Sequence, residues 1–286
     1  MSEAVASSAV SPDDASPSSA KSPGRFPAHW KQSRVLSLVL LGVILLLWEG
    51  LVRAFDVPAI VLPPPSAVLL ALWEGVASGL FIRHFNVTFL EIVAGFAAGA
   101  SLGIALGVLI AQSALLERVF YPYVVAFQTV PKVAIAPIIV IWFGYGLSSK
   151  IIITGTIAFF PVLANTIVGL RSAPLEQIDM LRAHTANSWQ IFRMVRLPQA
   201  LPFIFVGLDV AIVLSVIGAI VGEFVGAKAG LGYLIMQKNF SFDMASVFAI
   251  LIVLSLVGVC LHAAIAFVQR RVLFWTSHHQ ARVPGV

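Results

Sequence analysis

Charge is scarce in this chain. Of its 286 residues only 11% are Asp, Glu, Lys or Arg, 59% are hydrophobic, and the mean hydropathy is +0.96. A soluble domain carries roughly a quarter charged residues. The surplus apolar surface must therefore face lipid. Cysteine is nearly absent. Cys260 stands alone in an apolar run, which excludes a disulfide framework or a thiolate metal cluster. A phosphate-binding G-x4-G-K-[ST] loop is missing too. Gly226-Ala227-Lys228-Ala229 lacks both the spacing and the hydroxyl. His278 and His279 are sequence neighbours, which do not share a helix face. Neither a metal cluster nor a converging nucleophile–base set is visible, so catalysis by this chain is not expected.

What is present is a series of apolar runs. A spanning helix needs about 20 mostly apolar residues, and six runs qualify: residues 35–52, 86–111, 119–143, 150–170, 201–227 and 244–268. Residues 1–34 precede them, rich in Ser, Ala, Pro and Asp up to Gly24. They read as a disordered tail. Glu3, Asp13 and Asp14 stand where a signal peptide needs basic residues. Residues 276–286 read as a second tail. The segment Ser66–Phe81, behind the rigid Leu62-Pro63-Pro64-Pro65 run, is too short to span and reads as an interfacial helix on the outer face. The chain is thus an all-α polytopic membrane protein with six transmembrane helices.

Six spans place both termini on one side. That side receives twelve cations: Lys21, Arg25, Lys31, Arg34, Arg118, Arg171, Arg182, Arg193, Arg196, Arg270, Arg271 and Arg282. The other receives five: Arg53, Arg83, Lys150, Lys228 and Lys238. The positive-inside rule makes the richer face, and both termini, cytoplasmic.

Two spans carry glycine stripes. Gly95, Gly99, Gly103 and Gly107 repeat every four residues in the second, and Gly218, Gly222 and Gly226 in the fifth. Small residues on one stripe let helix backbones approach closely in lipid, so packing within the subunit is expected there. The third span holds Pro122, Pro131 and Pro137. Kinked spans are tolerated where backbone faces protein or a wet cavity, which makes this helix the first candidate for a pathway wall. Gln128 and Lys132, four residues apart, would share a helix face. Lys132 either favours an anionic or carbonyl-bearing solute or is neutralised by a carboxylate or by water. Asn165, with Thr166, either lines the same path or hydrogen-bonds across helices. Glu49, Glu91 and Glu223 lie toward the outer ends of their spans and read as structural or interfacial.

Between the fourth and fifth spans lies a polar break, Arg171 to Pro198. Pro174 suits a helix start, and Leu175, Ile178 and Leu181 recur at helical spacing. Asn187 and Gln190 resemble a capping box that opens a second short helix near Ser188. Pro198 should end it. Two short helices with a break around His184–Asn187 are expected. Arg193 and Arg196 also fit an amphipathic hairpin lying on the inner leaflet.

Here the chain resembles the inner-membrane permease subunits of ATP-binding-cassette importers. Those carry a cytoplasmic motif E-A-A-x3-G-x9-I-x-L-P. Asp179, Met180, Leu181, Thr185, Val195, Leu197 and Pro198 fit its spacing without gaps, although only Leu-Pro keeps its residue types. The resemblance runs from about Leu62 to Trp275, to the nitrate, sulfonate, taurine and pyrimidine-precursor branch. Pro137 to Gly144, Phe160-Pro161 with Asn165-Thr166, Ser188-Trp189-Gln190 and Gly230-Leu231-Gly232-Tyr233 carry it. The stretch Gln128 to Ala134 looks more like the pyrimidine-precursor and related vitamin subgroup than the sulfonate one.

The resemblance implies a type I (MetI-like) permease fold in a bacterial inner membrane. It implies two ATPase subunits that bind ATP and Mg, a solute-binding protein at the outer face, and a second copy of the permease. No cofactor on this chain and no nucleic-acid partner are expected. It makes Asp179, Ala183, Thr185, Ala186, Ser188 and Trp189 the ATPase-coupling surface. In the family the motif Gly permits a tight bend. Thr185 does not readily hold positive φ, so the bend here is expected to be right-handed or displaced to Asn187. An ion-driven secondary transporter would instead favour carboxylates deep in the bundle and internal repeats, and neither stands out in the sequence. A membrane-embedded enzyme would need the catalytic set that is not visible.

Overall fold

The computed structural model describes residues 29–275, with side chains from 36 onward apart from Ala114. The expected tail over 276–286 and most of that over 1–34 lie outside the described residues, as do His278 and His279. The described part is helical throughout.

The chain divides into two units, residues 1–48 and 49–286. Helix α1 (His29–Ala54) supplies the described part of the first and runs into the second. It begins inside the segment read as a tail, because the polar run His29–Arg34 continues the helix of the apolar run behind it.

The second unit is built around α6 (Leu147–Arg171). Helix α3 (Leu80–Ala111) packs on one side of α6 and α9 (Leu197–Gly226) on another. Ala100, Ala158, Val162 and Ala211 are buried where the three meet. Helix α11 (Met244–Val272) lies on α9 and α3 through Val257, Ile92, Ile212 and Val216. At one end, α2 (Pro65–Ala77) and α10 (Leu231–Phe240) close over α11, burying Val68, Leu231, Leu234 and Ile250. Glu49 anchors the start of α2, accepting from the Ser66 N–H at 3.0 Å and from its hydroxyl at 2.8 Å. Phe81, read as the end of the interfacial helix, belongs to α3. Gly79, at φ 74°, separates the two helices.

The apolar run 119–143 is not one helix. It forms α4 (Ala114–Thr129) and α5 (Lys132–Phe143), bent by 93°. The break falls at Pro131, which drives the residue before it out of helical geometry; Val130 is extended at φ −65°, ψ 130°. Pro122 and Pro137 sit inside α4 and α5. Among the described residues five helices are long and apolar enough to cross a membrane, or six if the bent pair counts as one span.

The polar break forms α7 (Leu175–Ala183) and α8 (Ser188–Ile191). Pro198 does not end the second helix. A π turn (Phe192–Arg196) carries it into α9, giving one apolar helix from Ser188 to Gly226. Proline forfeits the hydrogen bond to the carbonyl four residues back and crowds it, and a π turn is where a helix re-registers its ladder.

Candidate functional site

The α7–α8 hairpin has its own small core. Ala173, Ile178, Ile191 and Val195 are buried together, with Leu181 and Ala186 against them. The bend between the helices is fully hydrogen-bonded. The Thr185 N–H donates to Arg182 O at 2.9 Å, and the Ala186 N–H reaches back to Leu181 O at 3.0 Å. These two bonds make a Schellman motif, whose penultimate position requires left-handed backbone. Thr185 occupies it at φ 60°. The expectation of a right-handed or displaced bend is therefore wrong: Asn187, at φ −80°, is the extended N-cap of α8. The packing of Ala186 beside Leu181 holds the turn in register and forces Thr185 into a region that β-branched residues avoid. Asn187 and Gln190 form the reciprocal capping box, both bonds at 2.8 Å.

Asp179, Ala183, Ser188 and Trp189 are exposed, with Ala186 half-buried at the root of the turn. Asp179 and Ala183 stand one turn apart on α7. Trp189 leaves two thirds of its surface open (66%) and stacks on Phe192 at 5.5 Å. Arg171 does not belong to this hairpin. It ends α6 and pairs with Glu117 of α4.

Gln128 and Lys132 do not share a helix face, because the chain breaks between them. They are nonetheless brought together. The Lys132 ammonium donates to the Gln128 carbonyl at 3.0 Å and lies 5.0 Å from the Phe160 ring centre. Both line a cavity of about 310 Å³ with Ile157, Phe160, Pro161, Leu214 and Ile217. Its walls come from α4, α5, α6 and α9, and its one charged group is Lys132. A lone ammonium in an otherwise largely apolar cavity suits an anionic or carbonyl-bearing solute. Asn165 is not part of this cavity. Its amide turns back on its own helix to donate to the Pro161 carbonyl at 2.8 Å.

Both glycine stripes close on α6. A Cβ on Gly99 would overlap the Gly155 carbonyl, and one on Gly103 would come within 2.9 Å of Phe159 O. Gly95 and Gly107 face Thr154 and Thr166. From the other side Gly218 meets Thr154 and Gly222 meets Lys150, while Gly226 meets Tyr145, two residues before α6. This close approach explains a buried polar cluster that the sequence reading missed. Glu91 of α3 and Glu223 of α9 are fully buried, and Lys150 of α6, counted as an outer-loop cation, is buried with them 3.2 Å from Glu91. Lys150 sits in the first turn of α6, on the face that the glycines draw in.

Glu223 completes a helix terminus. The N-cap position of α10 is Gly230, φ 121°, which has no side chain to accept from the first turn. Glu223 takes that role from another helix, accepting from the N–H groups of Gly232 at 2.5 Å and Tyr233 at 3.1 Å. Thr88 donates to Glu223 at 2.6 Å and accepts from the Leu231 N–H at 2.7 Å; the Gly230 N–H donates to His84 Nδ1 at 3.0 Å. The four orphan donors of α10 are thereby satisfied by α3 and α9. Carboxylates thus do lie deep in the bundle, contrary to the sequence reading, but they are tied to backbone amides and a lysine. Asp209 of α9 and His262 of α11, 2.5 Å apart, were also overlooked. The available signal was simply an ionisable residue inside an apolar run.

Residues 103–274 match the family described as binding-protein-dependent transport system inner membrane component. The chain is 37% identical over 239 residues to the riboflavin transport system permease protein RibX of Chloroflexus aurantiacus, covering 84% of this chain and 89% of RibX. It is 36% identical over 233 residues to the formylaminopyrimidine transport permease protein ThiX of Halalkalibacterium halodurans, covering 82% and 92%. Among solved structures, an inward-facing conformation of the MetNI methionine ABC transporter aligns with a TM-score of 0.53 at 24% identity, covering 74% of this chain and 98% of that one.

Proposed function

Given that the chain belongs to the family of binding-protein-dependent transport system inner membrane components, we infer how its parts divide the work of an importer. The protein is the permease subunit of an ATP-binding-cassette importer, an integral multi-pass membrane protein of MetI-like fold. It is a transport subunit and not an enzyme; ATP is hydrolysed on a separate ATPase subunit, and a solute-binding protein delivers the cargo.

In the proposed arrangement the bent pair α4–α5 counts as a sixth span, both termini face the cytoplasm, and the bilayer is a bacterial inner membrane. The excess of Lys and Arg on the hairpin side supports that orientation. Two copies of the chain enclose one path. ATP and Mg stay on the ATPase, and this chain binds no cofactor.

The α7–α8 hairpin is the coupling element, with Asp179, Ala183, Thr185, Ala186, Ser188 and Trp189 meeting the ATPase. The observation that carries this reading is the exposed Trp189 and Asp179 face on a hairpin whose bend is fully hydrogen-bonded. The bend resists flexing, and α8 continues into α9 through the π turn as one helix. Motion at the hairpin is therefore handed directly to a helix that lines the Lys132 cavity. That cavity is the proposed solute path, and Gln128 and Lys132 are its polar contacts. A carbonyl-bearing pyrimidine- or vitamin-type solute fits the Lys132 cavity, and riboflavin and formylaminopyrimidine appear in the names of two relatives.

The test is Asp179→Lys combined with Trp189→Ala. Uptake should be lost together with co-purification of the ATPase. Uptake that survives with assembly intact refutes the docking assignment, and uptake in vesicles lacking any ATPase refutes the importer mechanism.

A further inference from the structure

A second cavity, of about 480 Å³, lies where the end of α3, the α7–α8 bend, α8 and the π turn meet, and it shares Ala186 and Ser188 with the proposed ATPase face. Gln112, Arg182 and Arg196 give it a polar side; Ile191 and Phe192 give it an apolar one. No carboxylate lines it. Arg182 is tied to Asp179 at 3.1 Å, but both side chains are more than 60% exposed, and such a pair contributes little. Arg196 is half-buried and has no ion-pair partner among the described residues.

The helices around the cavity set its place in the fold. Gln112 directly follows the apolar helix α3, which ends at Ala111, and Arg196 directly precedes α9 at Leu197. Gln112 thus ends one apolar span, and Arg196 lies in the π turn of the apolar helix that runs from Ser188 to Gly226; in the proposed orientation both stand toward the cytoplasmic head groups. A guanidinium presents a planar fork that matches phosphate oxygens. Basic pockets between spans on the cytoplasmic side receive anionic head groups. The apolar wall would be wasted on a free ion, whereas it suits the glycerol and upper acyl carbons of a lipid.

We propose that this cavity is a binding site for the phosphate of an anionic phospholipid, held by Arg182 and Arg196. The proposal rests on the cytoplasmic placement of the hairpin argued above. A phosphate seated there bridges the end of α7 to the root of α9 across the Thr185 bend, and so fixes the angle of the coupling hairpin.

The experiment uses the full-length permease, alone and as its complex with the ATPase. Each is purified from membranes of mixed phosphatidylglycerol and phosphatidylcholine, and retained lipid is counted by mass spectrometry. Wild type should keep about one phosphatidylglycerol per chain above the bulk ratio. Arg182→Gln with Arg196→Gln should fall to the bulk ratio, Arg182→Lys with Arg196→Lys should fall between, and Arg271→Gln, at the end of α11, should match wild type. Equal retention in wild type and the double Gln variant overturns the site. Displacement of the lipid by millimolar inorganic phosphate overturns lipid as the source of the anion. Retention by the permease alone that vanishes in the complex assigns the cavity to the ATPase contact and overturns the proposal. Failure of the complex to form counts against the coupling reading instead, and the permease alone then decides the lipid site.

Discussion

Replacing Thr185 by glycine should make the coupling hairpin more stable, not less. Thr185 sits at φ 60° in the one position of the α7 C-terminus that calls for left-handed backbone. A residue with a Cβ loses roughly 1–2 kcal/mol there. Glycine removes that strain but has a freer unfolded chain, which offsets about 0.4–1 kcal/mol. The net gain is about 0.5–1 kcal/mol, or roughly a two- to five-fold shift in the local opening equilibrium. Hydrogen–deuterium exchange reads it directly, because the Thr185 and Ala186 amides close the two bonds of the turn. Both should exchange about two- to five-fold more slowly in Thr185→Gly, while Thr185→Ala, which keeps the Cβ, gains little. Exchange inside α11 should not change. If glycine speeds exchange at these two amides, or if alanine matches glycine, the left-handed turn is not what holds the hairpin.

Other perturbations test the bundle. Lys150→Met leaves Glu91 buried without a partner and should cost about 3–5 kcal/mol, with much of it recovered by adding Glu91→Leu; thermal unfolding of the four proteins in detergent gives the cycle, and additive effects would refute the pairing. Glu223→Ala strands the Gly232 and Tyr233 N–H groups and the Thr88 hydroxyl, each worth about 1–3 kcal/mol, so the unfolding midpoint should drop by several degrees. An unchanged midpoint would show that α10 is capped otherwise. Gly99→Ala drives a methyl into the Gly155 backbone and should cost about 1–3 kcal/mol, while Gly258→Ala, with nothing within 4 Å of the new carbon, should be neutral in the same assay. Asp243, the N-cap of α11, is partly buried, which pushes its carboxyl up. Hydrogen bonds from Ser246 and Lys238 outweigh this and hold it below the ordinary 3.8. Its stabilising contribution is therefore complete above pH 3.8 and is lost as pH falls through its lower folded value. Asp243→Asn should flatten stability against pH in that acid window, and an unaltered acid limb would contradict the assignment.

Much of this protein follows from local chemistry that sequence exposes. Low charge and long apolar runs specify helices in lipid, since no other open structure satisfies its backbone there. The capping box at Asn187 and Gln190 and the glycine periods are local patterns, and they were legible for that reason. The resemblance of residues 62–275 to importer permeases specified the role. Only tertiary structure decided the rest. It broke the third span at Pro131, carried α8 through Pro198, and turned Thr185 left-handed because Ala186 and Leu181 had to pack on a common core. It drew Lys150 out of the outer-face count and into a buried cluster, where Glu223 caps a helix that follows it across a turn and Thr88 and His84 reach it from over a hundred residues away. Charge, length and periodicity are properties of neighbours along the chain. Which buried acid meets which amide depends on how closely the glycines let three helices approach, and no stretch of sequence contains that distance.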